Sequence, residues 1–314
     1  MKPKKEFLSA SALSPFSASR PHPPSDELIV SLITRPEELE QLAIHLARCP
    51  AIALDTESNG FYAYYEKVCL IQISDGRVSY IIDPLELGDC LPLKPLLESP
   101  DIEKIMHDGV NDVSGLYRDF GIRIDNLFDT AVACRLLGRK RRSLAALVED
   151  YLGIRINKKG QQYNWGSRPL KDSHIEYAAL DVHYLLIIAQ RLKDELAERG
   201  LLELAYEKSR GVARSTVPER SFPPDGYTRI KGFWDLGEDE RRIVKGLYRW
   251  RDFLARRWDR APFRVMPDIA LVELAVMKPA DESDLRGLKG IPRRFKKGGL
   301  ARELLRVIKE WQGV

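Results

Sequence analysis

The apolar positions of this chain fall into short runs first and helical stripes later. Leu28–Ile33 is a strand-like run, and over residues 36–47 Leu39, Leu42 and Leu46 recur at helical spacing. Residues 51–54, Val68–Ser74 and Val78–Ile82 read as buried strands, with Asp75-Gly76 between the last two as a hairpin signal. Residues 103–107 predict a short strand leading into a helix over Val110–Phe120, closed by Gly121. Helical patterns follow at residues 130–137, Leu144–Leu152 and 173–199. Early strands followed by mixed strand and helix predict an α/β domain with a mixed sheet.

The flanks behave differently. Residues 1–26 are rich in Ser, Pro and Lys without periodicity and read as a disordered leader. Residues 211–228 hold three prolines and little apolar content, which makes them a linker. Beyond it the pattern is helical, with Pro262, Pro267, Pro279 and Pro292 at helix edges. The predicted organisation is an α/β domain over 27–210 and a small all-α domain over 229–314, consistent with two domains in 314 residues.

Composition narrows the class. No apolar stretch approaches the roughly 18 residues of a membrane span, and the lysine-rich start lacks the apolar core of a secretory signal. The four cysteines are scattered without a C-x-x-C pair, which predicts buried reduced thiols in a cytosolic (cytoplasmic) protein. Charge is unevenly spread: 21 Lys and Arg against 13 Asp and Glu from residue 229 onward, net +8, and 23 against 29 over residues 27–210, net −6. A basic module suited to nucleic acid thus follows an acidic one that needs cations, although solvated surfaces of two domains often differ this much.

Asp55-Thr56-Glu57 closes the strand at 51–54, and two acids two residues apart point to one side of an extended chain. Their repulsion is relieved by a shared divalent cation or by a raised pKa. Taken alone, a D-x-E pair is common, and surface acids capping a strand explain it equally well. Asp112 lies in the first turn of a helix, where an acid is stabilising anyway, and Asp108 suits an N-cap. Tyr177 and Asp181 sit one turn apart on a helix so apolar that a lone carboxylate is costly unless paired or metal-bound. Four acids and a tyrosine fit phosphodiester hydrolysis by two divalent ions held about 3.5–4 Å apart, with the tyrosine hydroxyl orienting the attacking water. No P-loop, H-E-x-x-H or G-x-S-x-G motif competes, and no organic cofactor is expected.

Asp55-Thr-Glu57, His107-Asp-Gly-Val-Asn-Asp112 and Tyr177-x-x-x-Asp181 resemble the three motifs of DEDD-superfamily exonucleases, in the tyrosine-branch form. Leu70-Ile-Gln-Ile-Ser, Leu127-Phe-Asp-Thr-Ala and Trp165-x-x-Arg168-Pro169-Leu170 flank them as in RNase D and the nuclear exosome exonuclease, and the likeness spans about residues 28–200. Asn164-Trp165 departs from the usual Asp-Trp. Trp250-Arg-Asp-Phe-Leu-Ala-Arg, the segment from Pro262 to Asp268, and Leu288-Lys-Gly-Ile-Pro are similar to an HRDC domain; the length allows one, where the best-known RNase D has two.

The resemblance implies an RNase H-like exonuclease domain followed by HRDC. It also implies removal of nucleoside 5′-monophosphates from single-stranded 3′ ends of structured RNA, such as tRNA precursors, with Mg²⁺ or Mn²⁺. Asp55 would bridge two ions, Glu57 and Asp181 would complete one site, Asp112 would serve the other, and Tyr177 would position water. His107 and Arg168 match positions near the substrate, and Arg293 and Arg294 lie in a basic cluster able to grip phosphate or simply to be solvated. The run Arg139-Lys140-Arg141-Arg142 is a loop that reads as solvated more readily than as an RNA contact. His45, His174 and His183 read as ordinary helix positions. The rivals are a DNA 3′–5′ exonuclease and an inactive RNA-binding scaffold.

Overall fold

The computed structural model describes residues 5–7, 28–156, 163–215 and 222–312. The chain forms two compact units, one of Met1–Asn59 and Lys67–Val217, the other of Gly60–Glu66 and Pro218–Val314.

The first unit is built on a mixed sheet of β1 (Lys5–Phe7), β2 (Leu28–Ile33), β3 (Ala51–Ser58), β4 (Val68–Ser74), β5 (Val78–Ile82), β6 (Glu103–Met106) and β7 (Leu127–Asp129), in the order β1-β2-β5-β4-β3-β6-β7. Among the described strands only β4 runs antiparallel to its neighbours, β3 and β5. The strand period of two divides the core. Ile52, Leu54, Ile71, Ile73, Tyr80 and Ile82 face one side, where Leu39, Leu42 and Leu46 of α1 (Pro36–Leu46) meet them. Leu70 and Ile81 face the other, against Ile175, Ala178 and Ala179. Ala53 joins that second side, so Asp55 and Glu57, two and four residues on, share it.

Short helices α2 (Pro84–Leu87) and α3 (Lys94–Leu97) follow β5; α4 (Val110–Phe120), α5 (Thr130–Leu136) and α6 (Leu144–Leu152) come next. The helix expected over 173–199 is two: α7 (Asp172–His183) and α8 (Leu185–Glu198), broken at Tyr184 (φ −96°, ψ −5°). No Gly or Pro marks the break. Tyr184 and His183 are buried there, and the change of course lets α7 lie over β2, β5, β4 and β3 while α8 packs on α5 and α6.

Two further expectations are corrected. Residues 5–7, inside the expected disordered leader, form β1 and pair parallel with β2, whose outer edge would otherwise present unmet backbone groups. β7 was readable only as a motif, being three residues long. Helix α9 (Leu202–Ala213) crosses the expected boundary at 210, because Val212 enters the core of the first unit and the Ser209 hydroxyl accepts the Asp129 N–H at 3.0 Å.

The second unit contains α10 (Glu238–Arg257), α11 (Pro262–Val265), α12 (Asp268–Met277), α13 (Glu282–Gly287) and α14 (Gly299–Trp311) around Ile243, Leu247, Leu271, Leu274, Phe295 and Leu304. Gly246 is required where α10 meets α14, since a Cβ there would stand 2.5 Å from the Trp311 ring. The four prolines lie at helix edges as expected. Its remaining piece is Gly60–Glu66, a seven-residue excursion between β3 and β4. Asp259 accepts the N–H groups of Tyr64 and Tyr65 at 3.0 and 2.9 Å, and the Tyr64 hydroxyl donates to Asp252 at 2.9 Å. Among the described residues no helix is long and apolar enough to cross a membrane.

Candidate active site

β3, α4 and α7 bring the five expected residues to one cleft of about 650 Å³, lined by Asp55, Glu57, Asp112, Tyr177 and Asp181 together with His107. All five are half-buried, open to the cleft but otherwise enclosed by protein. Asp55 and Glu57 lie opposite Gln72 and Leu70 in the β3–β4 ladder, on the face that α7 covers. The register shifts just after Glu57, where the strand ends.

A hydrogen-bonded frame sets this geometry. Thr56, between the two acids, donates its N–H to Asp112 Oδ1 at 3.1 Å and its hydroxyl to the same oxygen, tying β3 to the first turn of α4. Asp129, fully buried at the end of β7, accepts from Ala131 and Val132 at 2.8 and 3.0 Å to cap α5, and from Gly109 at 2.9 Å to hold the turn that starts α4. Thr130 donates to the Met106 carbonyl at 3.0 Å, so its one proton is committed and His107 Nδ1, 2.8 Å away, must be the donor to it. The expected N-cap at Asp108 is absent: Gly109 occupies that position, and Asp108 has φ 59° with its carboxylate out beside Arg135 at 3.6 Å.

The electrostatics follow from crowding acids with little water. Burial raises the Asp55 carboxyl well above its usual range, helped by Asp112, Asp181 and Glu57. Burial with Asp181 and Asp112 pushes Glu57 up to about 9. Asp112 is pushed up to about 6 by burial, against the opposing pull of the Thr56 donors. The Tyr177 phenol is raised by burial and by the neighbouring acids, so it stays a neutral hydroxyl. Its ring is backed by Trp165 and Tyr163, with centroids 6.0 and 6.3 Å away. Half-buried carboxylates that oppose each other's ionisation are the oxygen donor set that hard divalent cations satisfy. Among the described residues no three potential ligands already surround one point at ligand spacing.

The other expected contacts fare unevenly. Arg168 is not available to a substrate: its Nε and Nη2 donate to Asp83, Nη2 also to the Cys69 carbonyl, and Nη1 to the Trp165 and Ser167 carbonyls. It is a strut between the Trp165 loop and the sheet. In the second unit, Arg294 donates to the Arg264 and Val265 carbonyls at 2.8 and 3.1 Å and lies over Trp258, whereas Arg293 is exposed. His45, expected to be ordinary, pairs with Asp75 at 2.9 Å. Cys69, Cys90 and Cys134 are buried free thiols and Cys49 is partly buried. Sequence reasoning passed over Asn111 and Arg135, signalled only by their nearness to the motifs, and read Arg142 as part of a solvated loop; all three line the cleft.

Fold and site together define a DEDD-type exonuclease domain joined to a helical module, and the known families agree. Residues 30–197 match the 3′–5′ exonuclease domain model and residues 240–308 the HRDC domain model. RNase D of Escherichia coli is 33% identical, covering 90% of this chain and 75% of that one, with a TM-score of 0.67. The catalytic core of RRP6 from Trypanosoma brucei is 29% identical over 91% of this chain and 80% of its own, with a TM-score of 0.84. Protein RRP6-like 1 of Arabidopsis thaliana is 34% identical over 84% of this chain but only 44% of its own length. The chain spans less than half the length of the curated relatives it matches. It belongs to the RNase D family of 3′–5′ exonucleases.

Proposed function

We propose that this chain is a 3′–5′ exoribonuclease releasing nucleoside 5′-monophosphates from the single-stranded 3′ ends of structured RNA, as in tRNA maturation, with two divalent cations, Mg²⁺ or Mn²⁺. The observation that carries the reading is the convergence of Asp55, Glu57, Asp112 and Asp181 with Tyr177 on one cleft. The RNase D and RRP6 relatives support RNA as the substrate.

Asp55, which lies within the field of the other three acids, would be shared by two ions. Glu57 and Asp181 would complete one site, and Asp112, fixed by Thr56, would serve the other. Such a pair lowers the pKa of the attacking water and stabilises charge on the attacking and leaving oxygens. The protein's own work is positioning. The neutral Tyr177 hydroxyl, held from behind by Trp165, aligns that water, and His107, which lines the cleft, lies near the terminal nucleotide. Replacing Tyr177 by Phe keeps the ring and its packing, so kcat is expected to fall about 10²-fold with little change in KM or melting temperature. Single-turnover rates beside KM check this.

The deciding assay uses 5′-labelled RNA with a 3′-hydroxyl, purified protein and Mg²⁺ or Mn²⁺, resolved at single-nucleotide steps beside DNA of the same sequence. A descending RNA ladder lost in EDTA is expected. A DNA ladder of equal rate would move the substrate to DNA, and intact RNA with folded protein would leave only binding.

A further inference from the structure

The basic run Arg139-Lys140-Arg141-Arg142 divides into two alternating pairs. Arg139 donates to both Glu195 oxygens at 2.7 and 2.9 Å and lies over the Tyr151 ring, while Arg141 pairs with Glu149 and Asp150. These two fasten the loop to α6 and α8. Lys140 and Arg142 are exposed and make no hydrogen bond or ion pair with any described residue.

Their location gives the spare charge a use. Arg142 lines the carboxylate cleft and also a second trough of about 590 Å³, which Lys140 lines as well. The two cavities share Arg142, Ser143, Ala145 and Ile156, so the trough adjoins the cleft that holds Asp55 and Asp181. An RNA strand entering a cleft rich in carboxylates is repelled until its phosphates find cations just outside. The paired Arg139 and Arg141 keep the loop in place without neutralising Lys140 and Arg142.

We propose that Lys140 and Arg142 bind backbone phosphates upstream of the 3′-terminal residue and guide a single-stranded RNA tail along this trough into the cleft. The proposal rests on the exoribonuclease reading above. Phosphate contacts carry no base information, so the trough selects for the length of the single-stranded tail and not for its sequence.

The test compares full-length, metal-loaded wild type with a Lys140→Gln/Arg142→Gln variant on a dinucleotide and on a long unstructured RNA. For the long RNA, KM is expected to rise about tenfold, and the preference for long over short substrate in kcat/KM should fall by the same factor. Losing two contacts should also make the log–log salt dependence of long-RNA binding shallower by about 1.4, at roughly 0.7 per single-strand phosphate. An unchanged length preference and salt slope, or equal losses on both substrates, would overturn it. Kd for the long RNA in EDTA reads the same contacts without cleavage. A wild type that cleaves nothing, yet binds long RNA more tightly than the variant, would sink the exoribonuclease reading and leave the phosphate track standing.

Discussion

Asp55→Asn is expected to remove exonuclease activity while raising the melting temperature of the metal-free protein. The loss should be about a thousand-fold or more, since a single preorganised electrostatic contact already accounts for about 10²–10³ in comparable sites. The stabilisation has a definite sign. Asp55, Glu57 and Asp112 all have folded pKa values above their ordinary ones, with Glu57 at about 9 and Asp112 at about 6. Between the ordinary carboxylate range and about pH 9 the folded state therefore holds protons that the unfolded chain has released. Unfolding then releases protons, so the stability of the metal-free protein falls as pH rises through this window. Divalent cations should reverse the trend by taking the place of those protons, most strongly near the alkaline end. Scanning calorimetry from pH 5 to 9, with EDTA and with Mg²⁺ or Mn²⁺, measures both effects for wild type and Asp55→Asn. A metal-free melting temperature that rises with pH, or an inactive variant no more stable than wild type in EDTA, would show that the acids do not oppose one another.

Arg168→Ala should destabilise the first unit by about 3–5 kcal/mol, the usual cost of stripping one partner from a buried ion pair. Asp83 is 2% exposed and faces Arg168 at 2.5 Å. It also caps α2 through the Leu85 and Glu86 N–H groups. The guanidinium further gathers the Trp165, Ser167 and Cys69 carbonyls, which the truncated side chain would leave without their donors. Because Trp165 backs Tyr177, the variant should also lose kcat in proportion to the disorder of that loop. Arg168→Lys supplies charge but not the fork, and should recover only part of the stability. Urea unfolding followed by tryptophan fluorescence measures the difference. A change within about 0.5 kcal/mol, the range of ordinary surface substitutions, together with weakened RNA binding, would return Arg168 to the substrate-contact role that its motif suggested.

The legible part of this protein was local. Asp55 and Glu57 are two residues apart on a strand, and Tyr177 and Asp181 four apart on a helix, so backbone periodicity alone puts each pair on one side. The apolar runs gave the core strands, and Asp75-Gly76 gave the β4–β5 turn. Motif order then connected these pairs to Asp112 through resemblance, since no periodicity relates positions so far apart.

What tertiary structure alone decided lies in contacts between distant residues. Thr56 looks like a spacer in sequence but binds Asp112, 56 positions away, and fixes one element of the site to another. Asp129 and Thr130, in sequence only part of a flanking motif, brace the turn below His107 and Asp112. Arg168 carries a substrate motif and serves as a strut. Gly60–Glu66 follows the first catalytic strand directly but is held by Asp252 and Asp259, nearly 200 residues on. The alternation within Arg139–Arg142 depends on whether Glu149, Asp150 and Glu195 lie within reach. A side chain's neighbours along the chain determine its direction and propensity; whether its charge is spent or available depends on the groups that folding brings within hydrogen-bonding distance.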